Sequence, residues 1–127
     1  LRPGDHGTTF GGNPVSSAAA LAVLDTIDSA DLLANARQVG DLLAAGLDGV
    51  DHPLVLGQRG VGLWRALQLS QPVAPAVEAA ARAQGYLVNA VRPDAIRIAP
   101  PLILTDVEAK AFLADLPVIL DAAAGVS

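Results

Sequence analysis

Apolar residues recur with helical spacing twice in the first third of the chain. Ala18, Leu21, Ala22, Leu24 and Ile27 form an apolar face on a first predicted helix. Asn13 supplies an N-cap oxygen ahead of it, and Pro14 suits the first helical position, where a missing N–H costs nothing. Ser29 is the next candidate cap. A second helix follows, with Leu32, Ala36, Val39, Leu43 and Leu47 in a stripe on one face, so it should pack on something; Gly46 and Gly49 are expected to mark its end.

From Leu54 the period changes from helical to alternating. Leu54, Val55 and Leu56 lead through Gly57 and Arg59-Gly60-Val61-Gly62 into a run from Leu63 to Leu69. Leu63, Arg65, Leu67 and Leu69 share one face of that run, with Trp64, Ala66 and Gln68 on the other. Two strands joined by a short glycine-bearing turn are predicted. Ser70 to Gln84 reads as a helix with Val73, Ala76, Val77 and Ala80 on one side and Gly85 as a left-handed cap. Tyr86 to Val91 and Ile96 to Ile98 read as short strands around Arg92-Pro93-Asp94, where proline presets φ for a turn.

Pro100-Pro101 ends the last strand. Thr105 with Glu108 then makes a capping box before Ala109, Phe112, Leu113, Leu116 and Leu120. Pro117 lies inside this helix, where it removes an N–H and crowds the carbonyl of Leu113, so a kink or break is predicted there. The order helix, helix, two strands, helix, two strands, helix predicts an α+β fold. Helices cover one face of a small, mainly antiparallel sheet of about four strands.

Composition sharpens this picture. A chain of 127 residues fits one domain able to bury about two-thirds of its unfolded surface. Hydrophobic residues make up 52% but aromatics only 3%, so Ala, Leu and Val must fill the core through many small contacts. The net charge is -5 and the eight Lys+Arg are scattered, which argues against nucleic-acid and membrane-surface partners. The absence of cysteine excludes disulfides and thiolate metal sites and fits a cytoplasmic protein. No apolar run approaches a bilayer span, and the first residues lack the features of a signal peptide. The first residue is Leu1, not Met, which suggests a piece of a longer polypeptide.

Most candidate chemistry falls away. The spacing around Gly57, Gly60 and Gly62 is wrong for a dinucleotide loop, and no Lys-Ser/Thr pair follows a glycine loop. His6 and His52 lack the spacing that would put two imidazoles on one metal, and read as surface or capping residues. Ser16 and Ser17 have no histidine at a suggestive offset, so neither is a candidate nucleophile.

The informative stretch is His6-Gly7-Thr8-Thr9-Phe10-Gly11-Gly12-Asn13-Pro14. With no apolar period from Leu1 to Pro14, it should lie in a loop. It sets two hydroxyls and several flexible backbone amides just before a helix N-terminus, an arrangement that suits phosphate or carboxylate. The alternative is a leader that only caps the first helix.

This stretch, followed by an Ala-rich helix, resembles the HG(S/T)T(F/Y)GGNP segment of class-III, ornithine-type aminotransferases. Arg59-Gly60-Val61-Gly62-Leu63-Trp64 is similar to their R-G-x-G-L hairpin. Gly85-Tyr86-Leu87-Val88-Asn89 and Ile96-Arg97-Ile98-Ala99-Pro100-Pro101-Leu102 resemble two further family segments, in family order along nearly the whole chain.

The resemblance implies the C-terminal small domain of a fold-type-I enzyme dependent on pyridoxal 5'-phosphate. Residues 1–14 would be a cofactor- and substrate-contacting loop and residues 15–127 the small domain, with the large domain absent. It further implies a homodimer with shared active sites, in which Thr9 binds the cofactor phosphate in the neighbouring subunit's site and Thr8 lies by the substrate. The reaction implied is transfer of the δ-amino group of N-acetylornithine to 2-oxoglutarate, in arginine biosynthesis. Arg97 matches a family arginine near the active site, with a structural ion pair as an equal alternative.

In this family the lysine that carries the cofactor lies upstream of the HG(S/T)T segment. Lys110, the one lysine here, follows a capping box in an amphipathic helix, where solvated lysine is ordinary. No residue of this chain is therefore expected to be catalytic, the chain alone is expected not to transaminate, and its first fourteen residues should be mobile without their partner. The rival reading is a free-standing α+β ligand-binding or regulatory module, which would need a complete pocket within these residues.

Overall fold

Eight elements form in the predicted order in the computed structural model, which describes Arg2 and residues 6–125. They are α1 (Pro14–Ser29), α2 (Leu32–Asp48), β1 (Val55–Val61), β2 (Trp64–Leu69), α3 (Ala74–Ala83), β3 (Asn89–Arg92), β4 (Ala95–Ile98) and α4 (Asp106–Ala124). The chain divides into two compact units, Leu1–Leu33 and Ala34–Ser127. Among the described residues no helix is long and apolar enough to cross a membrane.

In the first unit the loop expectation holds for the described part of residues 1–14; Leu1 and residues 3–5 lie outside the described residues. Asn13 caps α1 as predicted, its Oδ1 accepting from the Ser16 amide at 3.0 Å. The helix runs through Ser29, which is thus its last residue and not a cap of α2. The chain turns at Asp31, whose φ of 48° lies in the left-handed region that Asp tolerates better than most residues. No residue of α1 is buried, and Leu21 and Leu24 on its apolar face are each 61% exposed.

In the second unit the four strands form one fully antiparallel sheet in the order β1-β2-β4-β3. Gly62 and Leu63 make the two-residue turn between β1 and β2, and Gly62 takes the positive φ, 52°, that the first position of a type II′ turn requires. Along β2 the alternation is as predicted: Arg65, Leu67 and Leu69 are buried while Trp64 and Gln68 face solvent. The buried side meets Val39, Leu43 and Leu47 of α2, Ala74, Val77 and Ala81 of α3, and Ala109, Phe112, Leu116 and Leu120 of α4 in one cluster. Phe112 is the one aromatic among the buried hydrophobic residues described, so aliphatic and alanine side chains do build this core. The Tyr86 ring meets Phe112 edge-on at 5.2 Å, and its hydroxyl donates to Asp115 Oδ2 at 2.7 Å. That bond to a carboxylate holds the phenol above its ordinary range.

Three boundaries differ from expectation. Gly46 does not end α2 but lies inside it, where a Cβ would collide with the Leu113 side chain; the helix closes at Asp48, with Gly49 after it. α3 begins at Ala74, four residues later than predicted, with proline in its first turn. β3 begins at Asn89 rather than Tyr86 because the preceding residues finish α3: the Gly85 amide bonds the Arg82 carbonyl and the Tyr86 amide the Ala81 carbonyl, with Gly85 at φ 88°. This is a Schellman cap, and it commits the Tyr86 amide to the helix.

The predicted break at Pro117 does not occur, since α4 continues through it to Ala124. A proline in a helix interior costs about 3 kcal/mol, but Leu116, Ile119, Leu120 and Ala123 are buried around and beyond it, and apolar burial of about 1.5–3 kcal/mol per large side chain outweighs that loss.

The capping box at the start of α4 is complete. Thr105 Oγ1 accepts from the Glu108 amide at 3.2 Å, and Glu108 Oε2 accepts from the Thr105 hydroxyl at 2.7 Å and amide at 2.9 Å. These bonds lower the Glu108 carboxyl below its ordinary range. Its contribution is therefore full above the unfolded-chain value and lost as pH falls through the lowered folded value. Thr105→Ala should lower stability by about 1 kcal/mol, read as an earlier urea midpoint.

Candidate functional site

The loop before α1 is shaped by its glycines. Phe10 to Asn13 form a turn in which the Asn13 amide bonds the Phe10 carbonyl at 3.4 Å, and Gly12 sits at φ 74° in the position where a type II turn needs glycine. Asn13 Nδ2 donates to the Phe10 carbonyl at 2.7 Å and to Ser16 Oγ at 2.9 Å, bracing the turn against the helix. A Cβ on Gly11 would stand 2.5 Å from Thr8 Cγ2, so this glycine lets the backbone pass close to Thr8.

The structure brings Thr8 and Thr9 together in this exposed loop, and neither hydroxyl has a hydrogen-bond partner among the described residues. The helix start contributes less than the sequence suggests. Pro14 has no amide hydrogen, the Ser16 amide is held by Asn13 Oδ1, and the Ser17 amide by the Asn13 carbonyl at 3.0 Å. Donor capacity toward an anion therefore rests on the two threonine hydroxyls and the loop's own backbone amides more than on the helix start.

Lys110 Nζ pairs with Asp106 Oδ2 at 2.8 Å on the exposed surface of α4, one helical turn apart. The ammonium, through that bond and its charge, lowers the Asp106 carboxyl. This is the solvated setting expected for Lys110, and nothing in it resembles a cofactor lysine's pocket.

Arg97 lies on the open side of the sheet, in register with Ala66 on β2 and Asn89 on β3, and its Nη2 donates to Asn89 Oδ1 at 2.8 Å. Its partner is thus an amide and not the carboxylate of an ion pair. Sequence reasoning missed Asn89; the one available signal was its place at the end of a family-like strand. His52 caps a turn, its Nδ1 accepting from the Leu54 amide at 3.1 Å and its Nε2 lying 3.3 Å from Asp121 Oδ1. His6 is exposed.

The second unit also holds an apolar hollow of about 280 Å³ lined by residues including Leu43, Val88, Ile98 and Phe112. Its two polar side chains are already engaged, Tyr86 by Asp115 and Glu108 by Thr105. It offers no free polar side chain to orient a small ligand, which a complete binding pocket requires.

The family model for aminotransferase class-III matches residues 1–120. The acetylornithine aminotransferase of Mycolicibacterium smegmatis is 52% identical over 124 residues, covering 98% of this chain and 32% of that protein. That of Streptomyces coelicolor is 51% identical over 124 residues, covering 98% and 31%. Among solved structures, the acetylornithine aminotransferase from Elizabethkingia anophelis superposes with a TM-score of 0.83 at 30% identity, covering 94% of this chain and 33% of that one. The omega transaminase from Pseudomonas jessenii in complex with PMP gives 0.85 at 32% identity, covering 94% and 29%. The chain thus spans about a third of the length of the curated relatives it matches. Similar in sequence along nearly all of its length, and in fold to the corresponding portion of solved transaminases, this chain belongs to the class-III aminotransferase family.

Proposed function

We propose that this chain is the C-terminal small-domain portion of an acetylornithine aminotransferase, a cytoplasmic pyridoxal-phosphate enzyme of arginine biosynthesis that moves the δ-amino group of N-acetylornithine to 2-oxoglutarate. The observation that carries the reading is identity of about half to acetylornithine aminotransferases over 98% of the chain. Residues 1–14 act as the site loop and residues 15–127 as the small domain of a homodimer with shared sites.

The threonine pair fits the phosphate end of the cofactor. Thr9 holds that phosphate in the neighbouring subunit's site, and Thr8 lies by the substrate. A hydroxyl with no internal partner donates to a dianionic phosphate without first breaking a bond of its own fold. When bound, the cofactor supplies the electron sink for amino-group transfer. Lys110, paired to Asp106, does not fit the lysine role, which belongs to the part of the polypeptide that this chain does not span. Incubated alone with cofactor, N-acetylornithine and 2-oxoglutarate, the chain should form no glutamate, whereas the complete polypeptide should.

Thr9→Val in the complete enzyme should weaken cofactor binding about tenfold or more, the worth of one hydrogen bond to a charged group, with Thr9→Ser restoring it. Titration of the apoenzyme, followed by cofactor absorbance, reads this directly. Unchanged affinity in the valine variant would remove Thr9 from the phosphate site.

A further inference from the structure

His52 stands in the linker between α2 and β1 with its side chain only 10% exposed, and the proposed reaction makes no use of it. Both of its ring nitrogens are engaged. Nδ1 lies 3.1 Å from the Leu54 amide, and Nε2 lies 3.3 Å from Asp121 Oδ1 near the end of α4, 69 positions along the chain. A backbone amide can only donate, so Nδ1 holds a lone pair and the neutral ring carries its proton on Nε2, which donates to Asp121. The neutral ring in this tautomer thus joins the entry of β1 to α4.

The same turn also holds the end of β2. The Leu54 carbonyl accepts from the Ser70 amide at 2.9 Å, and the Pro53 carbonyl from the Ser70 hydroxyl at 2.8 Å. The ladder between β1 and β2 is interrupted here by a register shift between Val55 and Gly57. The entry of β1 therefore depends on the turn from His52 to Leu54 as well as on strand pairing.

Protonation changes what the ring can hold. An imidazolium donates from both nitrogens, so its Nδ1–H would face the Leu54 N–H, and that bond cannot persist. The bond to Asp121 survives and gains charge. The elements adjoining the ring bring acids only at this end. α4 brings Asp121, the linker brings Asp51, and α2 ends on Asp48, whose Oδ2 accepts from Gln58 Nε2 at 3.1 Å. No basic residue lies in the last turn of either helix, and Leu69 to Pro72 at the end of β2 carry no titratable side chain. A charged ring is thus kept beside Asp121.

We propose that His52 is a protonation-controlled latch, which when neutral fastens the entry of β1 to α4 and when charged keeps Asp121 but releases the Leu54 amide. It is a device of the fold and holds whatever reaction the complete polypeptide performs.

Hydrogen exchange of the complete polypeptide, resolved to single amides by fragmentation mass spectrometry and corrected for the unfolded-chain rate at each pH, reads the Leu54 amide directly. Its protection should fall about fivefold or more between about pH 8 and about pH 5, the worth of one hydrogen bond over the range in which an imidazole gains its proton. His52→Asn places an amide oxygen where Nδ1 stands and does not titrate, so protection should persist at both ends of the range. His52→Gln reaches toward Asp121 but offers the Leu54 amide no acceptor, so protection should be low throughout. Equal protection at both ends of the range in the unaltered polypeptide overturns the latch with no variant needed. A fall of the same size in His52→Asn assigns the change to general loosening in acid and overturns the latch as well. Should that variant not fold, protection in His52→Gln that matches the unaltered polypeptide at the higher pH overturns it instead.

Discussion

Replacing Arg65 by alanine should destabilise the second unit by about 3 kcal/mol, lowering its melting temperature by roughly 15 °C. Arg65 is 7% exposed and is the one buried charged residue described. Its Nε donates to the Gly62 carbonyl at 2.9 Å, Nη1 to the Gly60 carbonyl at 3.1 Å and Gln58 Oε1 at 3.4 Å, and Nη2 to the Gly40 carbonyl at 3.0 Å. One guanidinium thus ties both sides of the β1–β2 turn to the middle of α2 through a planar fork of donors. No carboxylate balances it, so carbonyl dipoles alone hold the charge.

Truncation strips the donor from the Gly60 and Gly62 carbonyls, each costing about 1–3 kcal/mol if it stays dry, while the Gly40 carbonyl keeps its bond within α2; partial rehydration of the turn brings the sum to the figure given. Arg65→Lys should recover less than half of the loss, because a single ammonium cannot span carbonyls on two elements. Urea unfolding of the three proteins measures this. A loss below about 1 kcal/mol for alanine would mean that the cost of burying the charge nearly cancels its bonds.

Gly40→Val should cost about 3 kcal/mol or more, and Gly40→Ala about 2, by overpacking against backbone. A Cβ on Gly40 would strike the Cα, carbonyl carbon and oxygen of Gly62, the residue held at positive φ in the turn. A backbone in that conformation has little freedom to withdraw, and any separation of α2 from the turn also stretches the bond from Arg65 to the Gly40 carbonyl. Gly46 provides the contrast within the same helix, for the nearest atoms its Cβ would meet all belong to the side chain of Leu113 and not to backbone. There the gain of about 1 kcal/mol in helix propensity offsets the displacement of a flexible side chain, so Gly46→Ala should be nearly neutral. Equal losses at the two positions would show that helix packing tightness, and not the backbone neighbour at Gly40, sets the cost.

Little of the candidate site was hidden from the sequence. The run from His6 to Pro14 showed a glycine-shaped loop with two hydroxyls before a capped helix, and the structure holds Thr8 and Thr9 exposed there, without internal partners. What the sequence overstated was the helix start, because the Asn13 that marks the cap also takes up the Ser16 and Ser17 amides.

Features legible in the sequence are those completed within a few residues of themselves. The Asn13 cap, the Thr105–Glu108 box, the left-handed Gly85 and the alternation of β2 each depend on local hydrogen bonds or on the two-residue period of a strand. Tertiary structure alone decided the rest, since each of those features needs a partner far along the chain. Arg65 reads as one more residue on the inner face until Gly40, 25 positions away, supplies its acceptor. Gly46 reads as a helix end until Leu113 packs across it. Pro117 reads as a break until the burial of Leu116, Ile119 and Leu120 holds the helix together around it. Local patterns state what a segment prefers; long-range burial and close approach decide which preferences are overruled.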